Sequence, residues 1–190
     1  MQALFSQPII DVRQSLNLLV DALSHPGRIA AVEGLLKTPH PLHASSAILC
    51  CACLTPGTRL WTDLDMDMPT VRWLMSVCGG RIVTVPSRAD LALVTHPPRM
   101  PSLKHFASPM PRCPGRIPLL VIQTKGFAAG AGCRQNGAAD GTEALRPLAV
   151  KGLPGDFWDQ RDACLAARGG TPDLVFTHRN HIIAAPGRII

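Results

Sequence analysis

The sequence predicts an α/β protein: a mixed sheet with helices on both faces. Helical and strand-like segments alternate through the first two-thirds of the chain, and two extended runs close it as a hairpin. The most strand-like run, residues 118–125, is short and apolar, which is typical of a central strand. With 190 residues, 46% of them hydrophobic, the chain can bury one core. We therefore expect a single α/β domain over residues 1–190.

The first predicted helix begins after Asp11, which can cap it, and ends at about Ser24. It ends there because Pro26 keeps the preceding residue out of helical backbone. Its apolar residues recur at helical spacing: Val12, Leu16, Leu19, Val20 and Leu23. Gly27 then permits a sharp turn into a strand over residues 28–34. We interpret Ser24, Pro26 and Gly27 as a structural motif rather than as ligand contacts.

The next segments alternate in the same way. Residues 44–54 are apolar or small all round, which predicts a buried helix, and such an apolar surface could also serve a dimer. A short strand over 58–62 and a helix over 68–80 follow. Residues 81–95 then predict two extended segments, with a break between them at Pro86.

The second half is less regular. From Pro97 to Pro118 the chain carries seven prolines in 22 residues, which predicts a long irregular connection before the strand at 118–125. Residues 126–141 are rich in glycine and weakly patterned. The remaining predicted elements are a strand over 144–150, a helix over 157–168, and two extended runs, 173–178 and 181–186, joined by a two-residue turn at Arg179 and Asn180.

Charge and composition exclude several classes of protein. The formal charge of +6 comes from 15 arginines and 4 lysines against 13 acids, which favours an acidic partner. The arginines are scattered singly and only 4% of residues are aromatic, so we do not expect nucleic-acid binding. No apolar run approaches the roughly 20 residues that span a bilayer, and no secretion signal is visible. We expect a cytoplasmic protein without a membrane segment.

Candidate metal and redox motifs favour structural interpretations. Cys50 and Cys53 form a CxxC within an apolar helical run, where cysteines behave as small hydrophobic residues. The chain has seven cysteines, an odd number, and we expect no disulfide framework. Two HxxH spacings, His40–His43 and His178–His181, do not place two imidazoles on one helical face. We expect solvated loop histidines there.

No signature of a nucleotide-binding loop, a calcium loop or a serine or zinc hydrolase occurs in the chain. Three aspartates, Asp63, Asp65 and Asp67, lack the glycine and glutamate of a calcium loop, and we expect them to be solvated and to cap the following helix. The residues alone therefore predict no catalytic, cofactor-binding or metal-binding site. Binding or scaffolding is the default function.

Two other functions stay open at this point. Lys125, at the end of the strongest strand, is the lysine best placed for a Schiff base, and with the loop at 126–141 it would serve a pyridoxal-phosphate or nucleotide-dependent transferase. Alternatively, Arg28, Arg112 and Arg116 could collect a small anion as bidentate donors. The first alternative predicts a stand-alone enzyme, and the second predicts a binding module.

The opening of the chain resembles the PhnH family, the H subunits of bacterial carbon–phosphorus lyase complexes. The shared pattern, P-x-x-D-x-x-x-S-[FL]-x-x-L-[LV]-x-A-[ML]-S-x-P-G-x-I, is met here by Pro8, Asp11, Ser15, Leu16, Leu19, Val20, Ala22, Leu23, Ser24, Pro26, Gly27 and Ile29. The closing AAPGRI, residues 184–189, is similar to the family's L-x-A-[IL]-P-R-T. In between, the helix at 42–54 and the strands at Trp61 and at 118–123 follow in the family's order.

Three loops depart from the family pattern. Residues 108–114 replace a Gly-Thr-x-x-x-Pro-Glu sequence, residues 134–141 replace an L-T-G-x-G-I loop, and residues 171–174 shorten an F-P-x-G-x-D-L segment. A ligand role for the family's loops therefore does not transfer to this chain.

The resemblance implies an α/β fold similar to the large domain of pyridoxal-phosphate-dependent transferases, without the cofactor. It also implies a cytoplasmic homodimer that assembles with the G, I and J subunits of the complex. That assembly, an alpha-D-ribose 1-methylphosphonate 5-triphosphate synthase, transfers the ribose triphosphate moiety of ATP to alkylphosphonates during organic phosphonate catabolism. The resemblance implies that the H subunit is structural rather than catalytic.

Overall fold

The computed structural model describes residues 12–32, 37–106, 118–129, 148–168 and 171–187. The helices of these residues are α1 (Val12–Ser24), α2 (Ala44–Cys53), α3 (Pro69–Cys78) and α4 (Phe157–Arg168). The strands are β1 (Ala30–Ala31), β2 (Arg59–Thr62), β3 (Arg81–Ile82), β4 (Leu91–Val94), β5 (Leu119–Gln123), β6 (Gly126–Ala129), β7 (Leu148–Lys151), β8 (Asp173–His178) and β9 (His181–Ala185). Single 3-10 turns lie at Pro86–Arg88, Pro97–Arg99 and Leu103–His105.

Seven strands form one mixed sheet in the order β1-β9-β8-β5-β4-β2-β3. The five strands from β8 to β3 run parallel, whereas β9 and β1 are antiparallel to their neighbours. Strands β6 and β7 pair antiparallel in a separate two-stranded sheet. The predicted mixed sheet is therefore confirmed, with β4, β5 and β8 at its centre.

Apolar side chains cover both faces of this sheet. Val121 of β5 packs into a core with α1, α2 and α3, whereas its neighbours Leu120 and Ile122 pack into a second core with α4. The same alternation runs through β4 and β8, because successive side chains of a strand point to opposite faces. Helices on both faces were predicted, and the structure confirms them.

Some predicted strands are shorter or begin elsewhere. Of the described residues 28–32 only β1 is a strand, and 81–85 contributes only β3, because the chain bends after Val83 into the 3-10 turn that begins at Pro86. Both are edge strands with a partner on one side only. The first residues of the glycine-rich segment, whose weak pattern predicted no element, form β6, where Phe127 packs against the α4 core.

The α2 helix is buried within the fold, as predicted, and for that reason it does not offer a dimer surface. Ala47, Leu49 and Cys50 are fully buried beneath the neighbouring helices and the sheet. The suggestion that this helix serves a dimer is therefore wrong. The described helices include none that is long and apolar enough to cross a membrane.

Candidate functional site

The carboxyl ends of β5 and β8 lie side by side, with Gln123 paired to Thr177 in parallel register. His178 is the last residue of β8, and α2 begins after His43, its N-cap residue. In parallel α/β sheets, ligands bind at this edge, because loops and helix N-termini converge there. The cluster at this edge, which we call the histidine edge, comprises His43, Gln123, Thr177, His178 and Arg179.

Gln123 fixes the segment that leads into α2. Its side chain is buried, Oε1 accepts a hydrogen bond from the backbone N–H of His43 at 2.6 Å, and Nε2 donates to the carbonyl of Pro41 at 3.0 Å. The preceding carbonyl, of His40, accepts a hydrogen bond from Thr70 Oγ1 at 2.6 Å. The position of His43 is therefore set by a central strand and by α3, not by its own loop.

The start of α2 is also bonded to the turn between β8 and β9. Ser45 donates from its backbone N–H (3.1 Å) and from Oγ (2.9 Å) to the carbonyl of Arg179. The hydroxyls of Ser46 and Thr177 share a hydrogen bond of 2.7 Å. As predicted, the turn contains two residues, and Arg179 has a φ of +53°, a left-handed conformation that L-residues other than glycine rarely adopt.

The His178 ring has a defined tautomer. Its Nδ1 lies 3.0 Å from the carbonyl oxygen of Thr124. Because a carbonyl only accepts, Nδ1 carries the hydrogen, and in the neutral ring Nε2 presents a lone pair. The ring meets that of His43 edge to face at a centroid distance of 5.7 Å, and that of Phe127 at 6.2 Å. The Thr124 carbonyl therefore orients the His178 ring.

His43 has the most perturbed imidazole of the described residues. Its Nδ1 is buried without a hydrogen-bond partner. Burial and then the nearby His178 lower the pKa of His43 below the usual 6.5, a hydrogen bond to the backbone of Thr177 partly opposes this, and Arg179 lowers the pKa further. The ring is therefore neutral at physiological pH, with one nitrogen atom that no group of the described chain satisfies.

The histidine edge corrects the expectation of solvated loop histidines. One histidine of each HxxH spacing takes part: the ring of His43 contacts the ring of His178. The fold therefore pairs histidines from two different motifs, and neither motif pairs its own two histidines. Two imidazoles with open nitrogen atoms can exchange hydrogen bonds and protons with a bound group. Among the described residues, no group of three or more His, Cys, Asp or Glu side chains could hold a metal ion.

The predicted structural motif lies at the end of α1, remote in sequence from the histidine edge. The helix ends at Ser24 as predicted, and Ser24 Oγ donates to the carbonyl of Val20 at 2.8 Å. Gly27 has a φ of +80° and donates its N–H to the carbonyl of Ala184 in β9 at 3.1 Å. The Gly27 bond joins the turn to the sheet.

The predicted anion-binding arginines are not seen to converge. Arg28 is exposed at the start of the extended segment that follows α1. Arg112 and Arg116 lie outside the described residues. Their joint role as anion ligands therefore stays a prediction.

Lys125, the candidate for a cofactor bond, is exposed where β6 and β7 leave the main sheet. Its backbone N–H donates to the carbonyl of Lys151 at 2.9 Å, and its side chain lies over Gly152, where a Cβ would come within 2.9 Å of Lys125 Cγ. Most of the loop proposed to accompany it, residues 130–141, lies outside the described residues.

The cysteines of the CxxC spacing are core residues, as predicted. Burial raises the pKa of Cys50, and it raises the pKa of Cys53 to about 11. A hydrogen bond from Cys78 of α3 lowers the pKa of Cys51, while the pKa of Cys78 is raised. Cys51 and Cys78 are far apart in the sequence, and no local pattern indicates their contact.

The aspartates before α3 do not cap it. The N-cap residue is Met68, and it makes no side-chain capping hydrogen bond. Asp63 instead accepts hydrogen bonds from the N–H (2.8 Å) and Oγ1 (3.0 Å) of Thr95 and from the N–H of His96 (2.7 Å). It thereby joins the ends of β2 and β4, whereas Asp65 and Asp67 are exposed, as predicted.

Comparison with known protein families identifies the group to which this fold belongs. The family model described as bacterial phosphonate metabolism protein (PhnH) matches residues 3–188. No protein with a curated description matches the chain significantly. The match runs through all the described elements, from α1 to the segment after β9. The chain therefore belongs to the PhnH family of bacterial phosphonate metabolism proteins.

Proposed function

We propose that the protein is the H subunit of a carbon–phosphorus lyase complex. In this role it supports transfer of the ribose triphosphate moiety of ATP to alkylphosphonates, in a cytoplasmic assembly with the G, I and J subunits. The observation that carries the proposal is the family match over residues 3–188. We propose further that the chain forms a homodimer and that its fold is similar to the large domain of pyridoxal-phosphate-dependent transferases, with no cofactor of its own.

The position of Lys125 favours a subunit over a stand-alone pyridoxal-phosphate enzyme. A lysine that forms a Schiff base is generally desolvated or placed beside another cation, so that its amine is unprotonated. Lys125 is exposed, and its stem covers Gly152. This placement supports a structural role for the lysine.

The surface of α1 supports association with other chains. Val12, Leu16 and Val20 follow one another at four-residue intervals on one side of the helix and are 46%, 39% and 62% exposed. Ile29, after the following turn, is 48% exposed. A stripe of large apolar side chains left in water is typical of a protein–protein contact.

Co-expression tests the proposal. With an affinity tag on this chain alone, the G, I and J subunits of the same genome should co-elute in equal copies, as measured by native mass spectrometry. The double substitution Leu16→Asp, Val20→Asp should weaken this recovery, whereas Met66→Asp, at an exposed apolar residue away from α1, should not. Elution of the wild-type chain alone would contradict the proposal.

A further inference from the structure

We propose that His43, His178 and Arg179 form a binding site for a phosphate- or phosphonate-class oxyanion at the carboxyl edge of β5 and β8. This inference goes beyond subunit membership, which requires no ligand on this chain. It also differs from the anion site considered from the sequence, which used Arg28, Arg112 and Arg116.

The charges around the histidine edge favour an anion. The charged groups that act on His43 are His178 and Arg179, both of which are cationic when charged. The start of α2, directly after His43, adds the partial positive charge of a helix N-terminus. A bound cation would be repelled by the same groups, and tetrahedral zinc sites use at least three protein ligands.

Hydrogen-bonding groups are available to receive the oxyanion. His43 Nδ1 is buried without a partner, although buried polar atoms are nearly always bonded. His178 Nδ1 is committed to the carbonyl of Thr124, so Nε2 is the atom left to bond a ligand. The rings of His43 and His178 contact each other edge to face, with their centroids 5.7 Å apart, so both rings lie at the same site. Each of these two nitrogen atoms would donate to a phosphoryl oxygen when it carries a proton, or accept from a P–OH group when it does not. Either bond would satisfy the atom that the protein leaves unpaired.

The backbone at Arg179 supports a functional role for its side chain. With a φ of +53°, this position would suit glycine, and a larger residue there adds strain. Non-glycine residues in left-handed backbone cluster at functional sites. The bonds from Ser45 to the carbonyl of Arg179 hold the strained turn against α2, and the guanidinium adds a charge near His43.

The same arrangement makes binding depend on pH. Desolvation and the nearby His178 and Arg179 lower the pKa of His43, so its ring is neutral near pH 7. A negatively charged oxyanion between the rings stabilises the protonated form of the His43 imidazole. Binding of the oxyanion is therefore accompanied by uptake of a proton at His43. Affinity for the oxyanion should therefore rise as the pH falls from neutral toward the lowered pKa of His43.

The test is an NMR titration of the full chain, labelled with ¹⁵N at histidine, with inorganic phosphate and separately with methylphosphonate. We expect saturable shifts of the ring nitrogen atoms of His43 and His178, and none for the exposed His25 and His105. His178→Asn retains a donor for the Thr124 carbonyl and removes Nε2, and His43→Gln removes Nδ1. Each variant should bind at least about tenfold more weakly, since it loses a charge-assisted hydrogen bond.

Controls separate loss of the site from loss of the fold. Arg179→Gln should weaken binding, Arg179→Lys should weaken it less, and His105→Asn should leave it unchanged. Circular dichroism should report the same folded spectrum for each variant. Shifts equal at all the histidines, no saturable shift with either ligand, or saturation by zinc alone would overturn the inference. Recovery of the G, I and J subunits by His43→Gln should equal that of the wild type, so this test and the test of complex membership fail separately.

Discussion

The backbone N–H of His43 donates a 2.6 Å hydrogen bond to Oε1 of Gln123, which joins the residue before α2 to the end of a central strand. The Gln123 amide is buried, and its nitrogen is used as well, by the carbonyl of Pro41. The Gln123 side chain therefore makes the hydrogen bonds to residues 41 and 43 that a neighbouring strand would otherwise supply from its backbone.

Gln123→Leu keeps the volume of the side chain and removes both hydrogen bonds. The N–H of His43 and the carbonyl of Pro41 then lose their partner, and each unsatisfied buried group costs about 1–3 kcal/mol. We expect the free energy of unfolding in urea to fall by about 2 kcal/mol or more. Asn17→Ala, at an exposed residue of α1, should change it by less than about 0.5 kcal/mol, and equal losses in the two variants would contradict the assigned role.

Asp63→Ala removes the acceptor for the N–H and hydroxyl of Thr95 and for the N–H of His96. Because these groups keep the ends of β2 and β4 together, we expect a loss of about 2 kcal/mol in urea unfolding. Asp67→Ala is the matched control, since Asp67 is exposed in the same loop. If Asp67→Ala destabilised the protein as much, the loop rather than the Asp63 carboxylate would be responsible.

Gly187 is a site where no side chain fits. A Cβ there would lie 1.8 Å from the carbonyl oxygen of Thr171 and 2.8 Å from the carbonyl carbon of Pro172, both backbone atoms. Gly187→Ala must therefore displace the backbone before β8, and we expect a loss of about 3 kcal/mol or no folded protein. Gly155→Ala, where a Cβ meets nothing within 4 Å, should be nearly neutral. Thermal unfolding of both variants decides the point.

The lowered pKa of His43 gives stability a pH dependence with a defined sign. The unfolded chain binds a proton at His43 near pH 6.5, whereas the folded chain binds it only at lower pH. Stability is therefore complete above pH 6.5 and is lost as the pH falls toward the folded pKa, by at most about 1.4 kcal/mol per pH unit. In phosphate-free buffer, His43→Gln should flatten this decline. A decline of unchanged slope would exclude His43 as its source.

The thiols should differ in reactivity, because the thiolate is the form that reacts. The hydrogen bond from Cys78 lowers the pKa of Cys51, and burial raises those of Cys50 and Cys53. Among the cysteines in the described part of the chain, Cys51 should be alkylated first by iodoacetamide at neutral pH, as followed by peptide mass spectrometry. Cys78→Ala should slow the reaction of Cys51. Faster labelling of Cys53 would contradict this order.

Features fixed by adjacent residues could be predicted from the sequence. The end of α1 at Ser24 follows from Pro26, and the two-residue turn at Arg179 follows from the extended runs on either side. The apolar pattern of residues 44–54 predicted the burial of α2, but it could not tell burial within the chain from burial by a second copy. An apolar pattern in the sequence indicates that a helix surface is buried, but it does not identify the residues that cover that surface.

Features that depend on the order of the strands could not be predicted. Ser46 and Thr177 are 131 residues apart in the sequence, and they meet only because β8 lies beside β5 beneath α2. The contact between His43 and His178 has the same origin. Asp63 was assigned to the nearest helix, yet its partner Thr95 lies 32 residues away on the adjacent strand. One sequence by itself does not show which residues from distant parts of the chain are in contact.

The strands at the two borders of the main sheet, β1 and β3, contain only two residues each. Long, open border strands are templates on which other chains add further strands, and they lead to uncontrolled aggregation. Borders this short provide few free backbone groups for such growth. A second copy, or another subunit, would therefore attach through its side chains rather than by continuing the sheet, which limits assembly to partners of matching surface.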